Sequence, residues 1–174
     1  AEWTHHDINT VDDANAMAKQ FKQGNHLAGA FDTETTGLHI ILDRPFLFQF
    51  GWVDTDFQGY TYAVDLERHP KLARNVIKYW HKQAAKLPIY LAHNVKFDLH
   101  MLTNIGLPYT ESNISDTLFY IRYAHDALTP KYGGPPLALK DYAARYITPS
   151  AKAHEHLLKQ ERTAIAKAYN QKLV

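Results

Sequence analysis

At 174 residues, with 45% hydrophobic and 21% charged positions, the chain has the size and balance of one soluble globular domain, and nothing in its composition suggests disorder. No apolar run approaches the length of a membrane helix, and the opening A-E-W-T-H-H-D is too polar for a signal peptide, so no membrane is expected among the partners. The absence of cysteine excludes disulfides and thiol chemistry and fits a reducing, cytoplasmic compartment, while a net charge of +1 excludes a broad cationic coat, so any nucleic-acid site has to be local.

Thr10-Val11-Asp12-Asp13 reads as a helix N-cap with an acid three residues on, and Ala14, Ala16, Met17, Ala18 and Phe21 carry that helix to a stop at Gly24. Leu27 to Phe31 is a short apolar run that predicts a buried strand. Asp32 and Glu34 follow, two apart. On extended backbone such residues point to one face, so both carboxylates project from the same side at the strand's end. Two anions placed together raise one another's pKa unless a cation sits between them, and hard divalent ions with oxygen ligands, Mg²⁺ or Mn²⁺, suit the position. The same residues would also serve to open a polar loop, with Thr35, Thr36 and Gly37 making the turn. Both readings stand at this point.

Pro45 to Val53 and Gly59 to Val64 are dense in aromatic and β-branched residues, and Asp54, Asp56 and Gly59 between them predict a hairpin. With the preceding strand this makes an antiparallel three-strand meander. From Lys71 to Lys86, Leu72, Val76, Tyr79, Trp80 and Ala84 recur at helical spacing. Lys71, Arg74, Lys78, Lys82 and Lys86 lie on other faces, as a solvated surface in preference to a nucleic-acid patch. Pro88 breaks the helix, Ile89 to Ala92 predicts a short buried strand, and a helix follows through Phe97, Leu99, Met101, Leu102 and Ile105 to Gly106. The order of elements predicts an α/β protein, a mixed sheet with helices on its faces.

At the second strand-to-helix junction, Asn94, Phe97 and Asp98 are spaced to share one side of the helix's opening turns. Asn94 as a plain N-cap and Asp98 as a dipole-favoured acid remain open readings, although a helix start beside a strand end is where α/β sheets bind ligands. Ser115-Asp116-Thr117 reads as the cap of a helix through Leu118, Tyr120, Ile121 and Tyr123, with Asp116 structural. Thr129 to Pro136 is a loop by composition, Leu137 to Ile147 another helix, and Pro149 and Ser150 open a last one bearing Leu157, Leu158, Ala164, Ile165 and Ala168.

Two strings carry a resemblance. F-D-T-E-T-T-G-L, residues 31 to 38, resembles the first motif of the DEDD 3′→5′ exonuclease superfamily, and A-H-N-V-K-F-D, residues 92 to 98, resembles its second. The D-T-L at Asp116 and the L-x-L-K-x-Y-x-x-x-Y helix from Leu137 are similar to segments of proofreading domains in family A DNA polymerases, so the likeness covers roughly residues 25 to 147. It implies an RNase H-like fold and hydrolysis of phosphodiesters at the 3′ end of single-stranded DNA, with RNA less expected, by a domain joined to a polymerase. It also implies two divalent metal ions, Mg²⁺ or Mn²⁺. Asp32 would bridge both, Glu34 would complete the nucleophile side, and Asp98 would hold the second through water. Asn94 would orient the strand or the water shell, Leu38 would wedge beside the terminal base, and Thr33 and Phe97 would lie at the nucleic acid.

The family's third motif, Tyr-x-x-x-Asp or His-x-x-x-x-Asp, has no counterpart after Asp98. The nearest string, His156 to Glu161, has the wrong acid and reads as a solvated face. The expectation is therefore a single exonuclease-like domain over residues 1–174 that either stops before its third motif or is naturally degenerate there. A silent single-strand-binding scaffold and a free-standing RNase D-like exoribonuclease are the alternatives.

Overall fold

The computed structural model describes residues 2–108, 113–125, 131 and 133–152. The chain divides into two compact units, residues 1–117 and 118–174.

The first unit is built on a six-stranded sheet of order β1-β4-β3-β2-β5-β6. Its elements are β1 (Trp3–Asp7), α1 (Val11–Gln23), β2 (His26–Thr35), β3 (Pro45–Asp54), β4 (Gly59–Asp65), α2 (Pro70–Ala84), β5 (Ile89–Ala92), α3 (Val95–Asn104) and β6 (Ser115–Asp116). β2, β3 and β4 form the antiparallel meander, with Phe31 opposite Phe50 and Phe50 opposite Tyr62. β5 joins β2 in parallel, β6 joins β5 in parallel, and β1 lies parallel to β4. The sheet is mixed, as expected, but its two outer strands were not anticipated.

Thr10 caps α1 as its sequence predicts: its hydroxyl accepts from Asp13 N at 3.1 Å while Thr10 N donates to Asp13 Oδ2 at 2.8 Å. The core lies where α1 and α2 cover one face of the sheet. Met17 and Phe21 of α1 and Ala73, Val76, Ile77, Trp80 and Ala84 of α2 meet Phe31, Phe48, Phe50, Trp52, Tyr62 and Tyr90 of the strands. The rings interlock, with Phe50 and Trp80 centroids 4.7 Å apart and Trp52 stacked on Tyr62 at 5.2 Å. Gly29 faces this cluster because a Cβ there would stand 2.6 Å from Leu87 Cδ1 and 3.1 Å from the Trp80 ring. The basic residues of α2 and the turn after it, Lys71, Arg74, Lys78, Lys82 and Lys86, are all exposed. Among the described residues no helix is long and apolar enough to cross a membrane.

α4 (Thr117–Ala124) begins at the boundary of the two units. The second unit holds α5 (Leu139–Tyr146) and a 3₁₀ turn, Pro149–Lys152. Two of its tyrosines pack on His125, whose ring lies 5.9 Å from Tyr142 and 5.5 Å from Tyr146. Residues 129, 130 and 132 of the 129–136 loop, and the expected final helix beyond Lys152 with His156 and Glu161, lie outside the described residues.

Candidate active site

β2 runs past its last β5 partner, Ala30, to Thr35. The strand alternates over that stretch: Phe31 and Thr33 are buried while Asp32 and Glu34 are exposed, so both carboxylates stand on one face. The acids lie within the strand rather than after it, opposite Gln49 and Leu47 of β3.

Where β5 no longer lines β2, a side chain of α3 takes over. Asp98 Oδ1 accepts from Thr33 N at 3.0 Å and from Thr33 Oγ1 at 2.5 Å. Asp98 is 2% exposed, and burial pushes its carboxyl up to about 6. The Thr33 hydroxyl pulls it back down, and the Asp32 charge pushes it up again. Thr33 and Asp98 are thus joined directly, and Asp32 is near enough to act on Asp98 through its charge. Thr33, expected at the nucleic acid, buries its side chain and gives both its donors to Asp98.

Asn94 precedes α3 in a left-handed conformation (φ 59°, ψ 46°), is exposed, and makes no cap bond with its side chain. The plain N-cap reading is therefore not what the structure contains. Phe97 is half-buried. Asp116 is a cap, as expected, and the helix end it meets includes that of α3: its carboxylate accepts from the Asn94 and Val95 amides. The sequence held no local spacing that pointed to this, since the partners are 22 and 21 residues apart.

Leu38 lies on the β2–β3 loop and is 84% exposed, with Ile41 and Leu42 at 75% and 79% beside it in the chain. The loop is pinned from within. Asp43 accepts from the Thr36 hydroxyl at 2.8 Å and from His39 N at 2.7 Å, and these bonds hold its carboxyl below the ordinary range. His39 Nδ1 accepts from the amides of Ile41 and Leu42, and Asn104 Nδ2 donates to the carbonyls of Ile40 and Asp43. Its polar groups are engaged among themselves and with Asn104 of α3, while the Leu38, Ile41 and Leu42 side chains stay exposed.

Among the described residues no group of three or more His, Asp or Glu side chains stands close enough to hold a metal ion. The chemistry of the donors nonetheless suits a hard cation. Two exposed carboxylates share a strand face, and a desolvated third feels the charge of one of them.

No family model and no curated protein matches the sequence. Solved structures do. The chain is similar to Trypanosoma brucei RNase D in complex with GMP, at 14% identity and a TM-score of 0.50, over 67% of this chain and 34% of that one. The fold is that of the RNase H-like DEDD exonucleases. The EXO domain of Aedes aegypti Nibbler (16% identity, TM-score 0.49, 69% of this chain and 56% of that one) also matches. So does Brucella melitensis NrnC (20%, 0.48, 84% and 59%), and one structure of NrnC holds Mg²⁺. The match spans little more than half of the Nibbler and NrnC chains and about a third of RNase D.

Proposed function

We propose that the chain is a metal-dependent 3′→5′ exonuclease domain. The observation that carries this is the exposed Asp32 and Glu34 pair on one face at the end of β2, beside a buried Asp98 that Thr33 fixes to the same strand. Parallel β2 and β5 end there and α3 begins there, which is the crevice where α/β sheets place their ligands.

Asp32, Glu34 and Asp98 would hold divalent ions, Mg²⁺ or Mn²⁺, which when bound supply a nucleophile from water and neutralise charge on the phosphate. The chain's own residues do the rest. Thr33 anchors Asp98 against β2. Asn94 offers an exposed amide at the start of α3 to orient the strand, with the half-buried Phe97 one turn on. Leu38 packs beside the terminal base, and none of these groups reads a base edge, so little sequence preference follows.

Two substrates fit this site. In the first reading the strand is DNA and the domain proofreads for a polymerase joined to it, which rests on the sequence segments similar to family A proofreading domains. In the second the substrate is RNA, and the fold likeness to RNase D favours it. Digestion of 5′-labelled single-stranded DNA and RNA with Mg²⁺, Mn²⁺ or EDTA tests both. A metal-dependent ladder absent from Asp32→Ala is expected, and the better substrate decides between the readings. If neither strand is shortened under any metal, the assignment of nuclease activity to this chain falls, and a silent binding domain or a domain lacking its third motif takes its place.

A further inference from the structure

β6 is two residues long, yet it holds the start of α3. Pairing of β5 with β6 sets Ala92 beside Asp116. From there Asp116 Oδ1 accepts from Asn94 N at 2.8 Å and Oδ2 from Val95 N at 3.1 Å. The next residue adds to the clamp: Thr117 Oγ1 donates to Ala92 O at 3.2 Å and lies 2.9 Å from His93 Nδ1. The free N–H groups that open a helix are normally met by the residue before it. Here a carboxylate from another strand meets them.

The consequence falls on Asn94. A left-handed backbone is unfavourable for any residue but glycine, least so for Asn, and persists when the surroundings hold it. Two charge-assisted bonds to one carboxylate, on residue 94 and its successor, do that. Because the cap comes from Asp116, the Asn94 side chain is exempt from capping and remains exposed. One turn further on, Asp98 makes its own bonds to Thr33. The first turns of α3 are therefore tied to β6 by one carboxylate and to β2 by another.

We propose that Asp116 is the positioning residue of this site: it sets the Asn94 backbone and the start of α3, and through them the place of Asp98 relative to Asp32 and Glu34. The inference rests on the nuclease reading above. Asp116→Asn keeps the size but presents an amide N–H to a backbone N–H, so one of the two bonds is lost. Asp116→Ser is a second variant should the first fold poorly. Asp13→Ala, which breaks the α1 capping box away from the acids, is the control for a purely structural cap.

The experiment follows a single-stranded 5′-labelled strand, DNA or RNA as the better substrate, with Mn²⁺, recording the rate at saturating strand, the KM, the half-saturating Mn²⁺ concentration and the melting temperature. In the Asp116 variants the saturating rate is expected to fall about tenfold or more, and the Mn²⁺ requirement to rise, as for groups that orient metal ligands. KM for the strand should hold. Asp13→Ala should lower the melting temperature and leave rate and Mn²⁺ requirement unchanged. If the Asp116 variants behave like Asp13→Ala, the positioning role is overturned while the nuclease assignment stands. A wild-type chain inert on both DNA and RNA with every metal overturns the assignment itself, and the positioning role with it.

Discussion

Thr33 gives two hydrogens to one oxygen. Its amide and hydroxyl both reach Asp98 Oδ1, in a place where neither group meets bulk water. Thr33→Val keeps the shape and the amide bond and removes the hydroxyl, and loss of a bond to a buried carboxylate costs about 1–3 kcal/mol. Urea unfolding at pH 8 should show that loss, and Thr33→Ser should restore most of it. A Val variant as stable as wild type would mean the hydroxyl contributes nothing. The alternation of Phe31, Asp32, Thr33 and Glu34 was legible in the sequence, because strand period alone sets it. The burial of Asp98 was not, since an acid in the first turn of a solvated helix leaves the same pattern. The tie between Asn94 and Asp116 was not legible either. Their bond spans 22 positions, and capping rules look only to immediate neighbours.

At the scale of elements, α2 carries a titration of its own. His81 is buried, its Nδ1 is 2.6 Å from the Tyr90 hydroxyl, and burial pushes its pKa down to about 4. Between the ordinary value of 6.5 and about 4 the unfolded chain takes up a proton that the native protein refuses. The stability this group contributes is therefore present above pH 6.5 and lost as the pH falls, by about 3 kcal/mol. Asp98 runs the other way. Its folded value is raised from 3.8 to about 6, so its contribution is present below 3.8 and lost as the pH rises through 6. The two slopes oppose each other in one window. Wild-type stability should stay nearly flat from pH 6.5 to 4, whereas Asp98→Asn should become steadily less stable on acidification over that range. Urea midpoints taken across the window check this, and a flat profile in Asp98→Asn removes the role given to His81. α1, α2 and the meander were readable from apolar period and caps. β1 was not: all five of its side chains are exposed, so W-T-H-H-D carries no alternation to read.

For the whole molecule, an ion held by the folded acids and not by the unfolded chain must raise the melting temperature. At a hundredfold excess over its dissociation constant the gain is about 2.7 kcal/mol, or several degrees for a chain of this size. Adding Mn²⁺ should produce that shift in wild type and not in Asp32→Ala. An equal shift in both would put the ion elsewhere. The sheet's middle was legible and its margins were not, because middle strands are written by apolar pattern and margins by backbone pairing alone. That difference has a counterpart in time. β3 and β4 pair across a short turn, but Trp3 of β1 waits for Gly59, and His5 and its partner Thr61 are 56 positions apart. Closing so long a loop is entropically slow, and β1 brings no buried side chain of its own to reward it. Only Ile8, just past its end, plugs into the core, with its amide on Ala63 O at 2.8 Å. During refolding the hairpin amides should gain protection from solvent exchange first, and those on either side of Ile8 last. The order of assembly would then run from the centre of the sheet to its rim, with a single isoleucine as the latch.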